Sequence, residues 1–158
     1  MSRAFVKETD GEDLYDSLPD RPIDPRPNLV TAEGLAQIEE AIARLLAARG
    51  EAESKNDRAA LAESARDLRY WQARRASAEL MPTPDSDAQT RFGHRITLRR
   101  DVGGLVVWHI VGIDEADPAQ GRLSYVAPLA QALLGKRVGD EVDLGKQGMA
   151  EIVAISAL

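Results

Sequence analysis

The sequence contains no cysteine. Disulfide staples, thiolate zinc sites and a cysteine nucleophile are thereby excluded, and the absence fits a reducing cytoplasmic setting. Aromatic residues are scarce, at 4% of the chain. The two histidines, His94 and His109, have no carboxylate or third ligand at metal-binding spacing, so no metal site is expected. His109 falls in an alternating strand pattern and reads as a surface position. No apolar run approaches the roughly 20 residues that span a bilayer. The N-terminus is polar and lacks the apolar stretch of a signal peptide, so no membrane partner is expected. Positive charge is also short: 20 Lys and Arg against 26 Asp and Glu leave a formal charge of −6. That balance argues against a surface that grips bare nucleic acid through its phosphates, but it suits a large protein partner. No Ser/His/Asp arrangement and no Gly-rich phosphate loop is present.

What remains is a chain of 158 residues, 44% apolar, long enough for one ordinary domain or two small ones. Residues 1–28 read as a disordered tail. They combine acids such as Asp10, Glu12, Asp13 and Asp16 with Pro19, Pro22, Pro25 and Pro27. Their apolar residues have no period, so little burial offsets the entropy of ordering.

Helical spacing starts after Thr31, a residue suited to an N-cap. Leu35, Ile38, Ile42 and Leu45 follow at three- and four-residue steps. A polar Ser54-Lys55-Asn56-Asp57 cluster marks a turn, and a second helical pattern carries Leu61, Leu68 and Trp71. Two helices of similar length joined by a short turn predict an antiparallel coiled-coil hairpin over residues 29–81, each arm about 33 Å long. Its seam is thin. Arg66, Arg69, Arg74 and Arg75 on the second helix are expected to cover that seam and pair with Glu39 and Glu40.

Residues 82–90, with Pro82 and Pro84, read as a linker. From residue 91 the period changes to that of strands: Ile96–Leu98, Leu105–Val111, Arg122–Val126, Glu141–Leu144 and Met149–Ile155. Gly103-Gly104 marks a hairpin turn between the first two. Pro128 stands where a short helix begins, and Gly135 where it stops. The fold class expected is α+β: the helical hairpin, then a small antiparallel β domain with one short helix over residues 91–158.

The C-terminal half resembles the bacterial Gre family (GreA/GreB) of transcription elongation and transcript cleavage factors. The matching residues are Ile110-Val111-Gly112, Glu115-Ala116-Asp117, Gly121, Ser124, Pro128-Leu129-Ala130, Ala132-Leu133, Gly135-Lys136 and Gly139-Asp140-Glu141-Val142. Thr31, Gly34 and Leu35 resemble the start of the family's first helix. One departure is Ala127, where the family has a serine; losing that N-cap oxygen costs about 1 kcal/mol.

The resemblance implies a β domain shaped like the FK506-binding proteins, docked on core RNA polymerase at its secondary channel. The hairpin then enters the channel, close to the nascent RNA, and its acidic tip shares a Mg²⁺ ion at the polymerase active site. The protein would be no enzyme itself; it would stimulate the polymerase's own hydrolysis of backtracked transcripts. Docking is expected to involve Asp114, Glu115, Asp117, Ser124, Pro128 and Leu129. The tip departs from the family's Gly-Asp-Leu-x-Glu-Asn-Ala-Glu-Tyr pattern, and the hairpin is shorter. Asp57 and then Glu53 are the carboxylate candidates, with a plain turn or N-cap role as the competing reading of Asp57. The alternatives are a channel-occupying regulator that does not stimulate cleavage, and a stand-alone FKBP-like adapter module. A prolyl isomerase is disfavoured, because only Phe92, Trp108 and Tyr125 could wall its pocket. A monomer without a cofactor of its own is expected.

Overall fold

The computed structural model describes residues 18–157. These fall into two compact units. One contains the described residues up to Pro25 together with Glu39–Ala76; the other contains Arg26–Ile38 and the chain from Ser77 onward.

The first unit is built on two helices, α1 (Ala32–Lys55, whose first seven residues belong to the second unit) and α2 (Arg58–Ser77). Exposed i,i+4 pairs line α1, with Arg44 to Glu40 at 3.5 Å, Arg49 to Glu53 at 3.1 Å and Lys55 to Glu51 at 2.6 Å. Asn56 ends α1 with φ 52°, a left-handed conformation that asparagine tolerates better than most residues. The Asp57 amide then bonds back to the Ala52 carbonyl at 2.9 Å, closing the helix end. Asp57 also begins α2, so the connection needs only two residues. As expected, the seam is thin: Ala41 and Ala52 on α1 and Leu68 on α2 are its buried apolar residues. Ser64 is buried too, its hydroxyl donating to the Ala60 carbonyl at 2.7 Å. Of the expected cross-helix pairs, Arg75 reaches Glu39 at 2.8 Å. Glu40 is engaged by Arg44 instead, and Arg66 by its neighbour Asp67 at 2.9 Å.

Of the expected tail over residues 1–28, residues 1–17 lie outside the described residues. Residues 18–25 lack regular structure but are held on α2, and Asn28 opens a strand. Proline fixes φ and lowers the entropy lost on ordering, so the same prolines that mark an irregular segment also make it cheaper to hold in place.

In the second unit, β1 (Asn28–Val30) pairs in parallel with β2 (Ala78–Leu80), which the sequence reading had merged into the hairpin. The main sheet has the order β5-β4-β3-β7-β6, with β3 Arg95–Arg100, β4 Leu105–Val111, β5 Arg122–Ser124, β6 Glu141–Asp143 and β7 Met149–Ser156. The pairs β3/β4, β3/β7 and β6/β7 are antiparallel. The expectation of a wholly antiparallel sheet fails at β5, which runs parallel to β4. Its connection passes through the 3₁₀ turn Pro118–Gln120 and the left-handed Gly121, with Asp117 bridging Arg122 in antiparallel sense. The helix α3 (Pro128–Leu133) packs Ala130 and Leu133 on the core of Ile96, Leu98, Ile110, Val142 and Ile152.

Candidate functional site

Two places in the second unit bring together residues singled out from the sequence. The first is a groove between the sheet and α3. Strand alternation turns Val106 and Trp108 toward α3, while Leu105 and Val107 face outward and are exposed. Proline begins α3 at its first position, and the preceding Ala127 provides no side-chain cap. Pro128, Leu129 and Ala132 form one wall of the groove, Trp108 and Val106 its floor, and Leu144 the far side. The cavity measures about 460 Å³. Arg100 and Asp143 are its charged lining residues; the Asp143 carboxylate accepts from the Gly145 amide at 2.7 Å. An apolar floor with two opposite charges suits one apolar side chain of a partner, oriented by polar neighbours.

The second place is the acidic turn after β4. Its carboxylates do not act alike. Glu115 is buried, 4% exposed, and so is no surface carboxylate. The Thr31 hydroxyl donates to its Oε2 at 2.6 Å and itself accepts from the Gly34 amide at 2.9 Å. Thr31 therefore caps α1 and anchors the turn at once. A β-carbon on Gly34 would overlap the Glu115 carboxylate, which explains a glycine in the first turn of a helix. Burial raises the Glu115 carboxyl above its usual range, and the Thr31 hydrogen bond offsets part of that rise. Its Oε1 has no hydrogen-bond partner. Asp117 is half-exposed and pairs with Arg122 at 3.6 Å, the same arginine whose Nε donates to the Glu115 carbonyl at 3.1 Å. Asp114 is half-buried. Ser124 is half-buried, and its hydroxyl oxygen is buried without a hydrogen-bond partner. Gly112 lets β4 pass β1 closely: a β-carbon there would lie 2.5 Å from the Leu29 carbonyl oxygen.

The tip candidates are placed on the hairpin turn, and both are engaged. The Asp57 Oδ1 accepts the Ala60 amide at 3.0 Å, an N-cap for α2. Glu53 is paired with Arg49. Among the described residues no cluster of three or more His, Asp or Glu side chains could hold a metal ion. No helix among them is long and apolar enough to cross a membrane.

Both histidines are buried, so the surface reading of His109 is corrected. Burial lowers its pKa, and the neighbouring Arg95 adds to the effect. Burial likewise lowers that of His94, opposed by Asp87, whose Oδ1 lies 3.5 Å from Nε2. The His94 Nδ1 accepts the Arg91 amide at 2.9 Å. Of the residues that complete the groove, Leu144 was not named from the sequence, and Trp108 was named only as a wall of the disfavoured isomerase pocket. The only sequence signal for Trp108 was a large aromatic on the inward parity of a strand.

Residues 85–157 match the family model described as Transcription elongation factor, GreA/GreB, C-term. The transcription elongation factor GreA of Nitrobacter winogradskyi is 43% identical over 67 residues, 42% of each chain. GreB of Neisseria meningitidis serogroup B is 45% identical over 69 residues, 43% of this chain and 42% of its own. GreA of Chloroflexus aggregans is 38% identical over 92 residues, 57% of each. This chain thus spans about half the length of the curated relatives it matches. Among solved structures, GreA factor homolog 1 of Thermus thermophilus aligns at TM-score 0.40 and 22% identity, covering 84% of this chain and 100% of that one.

Proposed function

Because residues 85–157 match the GreA/GreB C-terminal family model, we propose that this chain binds RNA polymerase through the groove beside α3 and regulates transcript elongation. The observation that carries the reading is the groove itself. Pro128 and Leu129, both within the stretch that resembles the Gre family, open onto Trp108 and Leu144. A leucine-sized side chain of the polymerase buried there gains about 1.5–3 kcal/mol. Asp114 and Asp117 on the turn after β4 add polar contacts at the rim. The hairpin of α1 and α2 enters the polymerase secondary channel. The chain works as a monomer in the cytoplasm and is no enzyme of its own.

We further propose that it regulates without stimulating cleavage. A Mg²⁺ ion shared with the polymerase would need a free carboxylate at the hairpin tip. Asp57 caps α2 through Oδ1 and Glu53 pairs with Arg49, so each candidate carboxylate already has a partner that such an ion would have to displace or share. Contact with nascent RNA at the tip is correspondingly limited to steric occupation of the channel.

Retention on immobilised core polymerase tests the binding. The intact chain is expected to be retained at low salt and Leu129→Asp to be lost. No retention of the intact chain would leave an adapter module for another protein as the surviving reading. A cleavage assay on a backtracked complex tests the second part. Neither the intact chain nor Asp57→Asn, which keeps a capping oxygen, is expected to accelerate cleavage. Acceleration by the intact chain that Asp57→Asn abolishes would restore Asp57 as a metal-facing group.

A further inference from the structure

The α1/α2 seam buries little, yet a third layer lies over α2. Arg69 Nε donates to Asp20 Oδ1 at 2.6 Å, and a second nitrogen of the same guanidinium donates to the Leu18 carbonyl at 3.3 Å. One residue along, the signs reverse: Arg21 reaches Asp67 at 3.6 Å. The Arg21 guanidinium also covers the aromatic pair of α2. It lies 3.9 Å from the Tyr70 ring centroid and 5.7 Å from that of Trp71, and the two rings meet edge to face at 5.2 Å. Consecutive residues of the segment, Asp20 and Arg21, are thus matched in sign by Arg69 and Asp67. A segment resting on a surface without specificity has no reason to be matched in sign at both positions and stacked on an aromatic pair as well.

We infer that residues 18–25 form a displaceable strap that closes the Tyr70–Trp71 face of α2. The contacts are of a kind that open. Both ion pairs are partly exposed, hence individually weak and screened by salt. The cation–π contact adds a modest, sequence-specific term. Pro19, Pro22 and Pro25 reduce the entropy lost when the segment lies down. Closed, the strap covers an arginine and two aromatic rings. Open, it presents Asp67, Arg69, Tyr70 and Trp71 together, a surface matched to an extended Asp-Arg-Pro segment. The inference does not rest on docking through the groove beside α3, because every residue in it belongs to the first unit.

Acrylamide quenching of Trp71 in the full chain tests it. Subtracting the signal of Trp71→Phe isolates Trp71, and Trp108 serves as an internal reference. Arg21→Ala and Asp20→Arg are each expected to raise quenching of Trp71 by about twofold or more through local opening, with Trp108 unchanged. Asp20→Arg combined with Arg69→Asp rebuilds the pair in reverse and is expected to restore the protected value. In the unaltered chain, about 1 M NaCl, where the screening length falls to about 3 Å, moves Trp71 in the same direction as Arg21→Ala. Unchanged Trp71 quenching in both single variants, failure of the reversed pair to restore protection, or an equal rise at Trp108 would overturn the strap.

Discussion

Replacing Thr31 by alanine removes two bonds with one oxygen. The hydroxyl caps α1 by accepting the Gly34 amide, and it donates to the buried Glu115 carboxylate. Loss of the cap costs about 1 kcal/mol. Loss of a hydrogen bond to a buried charged acceptor costs about 1.5–3 kcal/mol. Thr31→Ala is therefore expected to destabilise by about 2.5–4 kcal/mol in total, while Thr31→Ser, which keeps the oxygen, loses less than about 1 kcal/mol. The pH dependence separates the two parts. The folded-state pKa of Glu115 is raised above its ordinary value near 4.5. Its contribution to stability is then fully present below that unfolded value and is lost as pH rises through the folded one. Deleting the Thr31 hydroxyl removes a stabiliser of the charged form. The cost of Thr31→Ala is accordingly larger at pH 7.5 than at pH 4, whereas the capping part is equal at both. Urea unfolding followed by far-ultraviolet circular dichroism measures the differences. A Thr31→Ala cost no greater than that of Thr31→Ser, or one identical at both pH values, would refute the coupling of the α1 cap to the turn after β4.

Three further outcomes are expected. Gly112→Ala forces a β-carbon against the Leu29 carbonyl, and backbone has little room to yield, so a loss of about 1–3 kcal/mol is expected in the same unfolding measurement. Gly50 lies within α1 with open space where its β-carbon would be, and Gly50→Ala is expected to gain about 1 kcal/mol and slow amide exchange near the hairpin turn. His94 and His109 have lowered folded-state pKa values, so their contribution is present above the ordinary value near 6.5 and is lost as pH falls through the folded one. Acidification below about pH 6.5 should therefore destabilise the chain, and His109→Gln should flatten that slope relative to the unaltered protein.

The strand half was legible because its period-2 alternation carries the burial: Ile96 and Leu98 are buried while Arg95 and Arg99 are exposed. Gly103-Gly104 and Pro128 marked the turn and the start of α3 by backbone preferences that hold without tertiary context. Thr31 as the cap of α1 was legible for the same reason. What failed was long-range. The β1/β2 pairing joins two three-residue strands whose partners, such as Leu29 and Glu79, stand far apart in sequence. Glu115 looked like a solvated acid because composition cannot show that a threonine 84 positions earlier turns a hydroxyl toward it. His109 broke the alternation rule because Ile110 and Val111 beside it are buried too, so this end of β4 is covered on both faces. The groove was half legible: Pro128 and Leu129 were named, but Trp108 and Leu144 join them only once the sheet is assembled.

Equilibrium binding of the full chain to core RNA polymerase, with Leu129→Asp alongside, tests the central reading most directly. A charge placed among Trp108, Val106 and Leu144 should cost about 3 kcal/mol or more of binding, a loss of about a hundredfold in affinity. Binding by the intact chain with that loss is the predicted result; no binding by the intact chain, or equal binding by both, would contradict it.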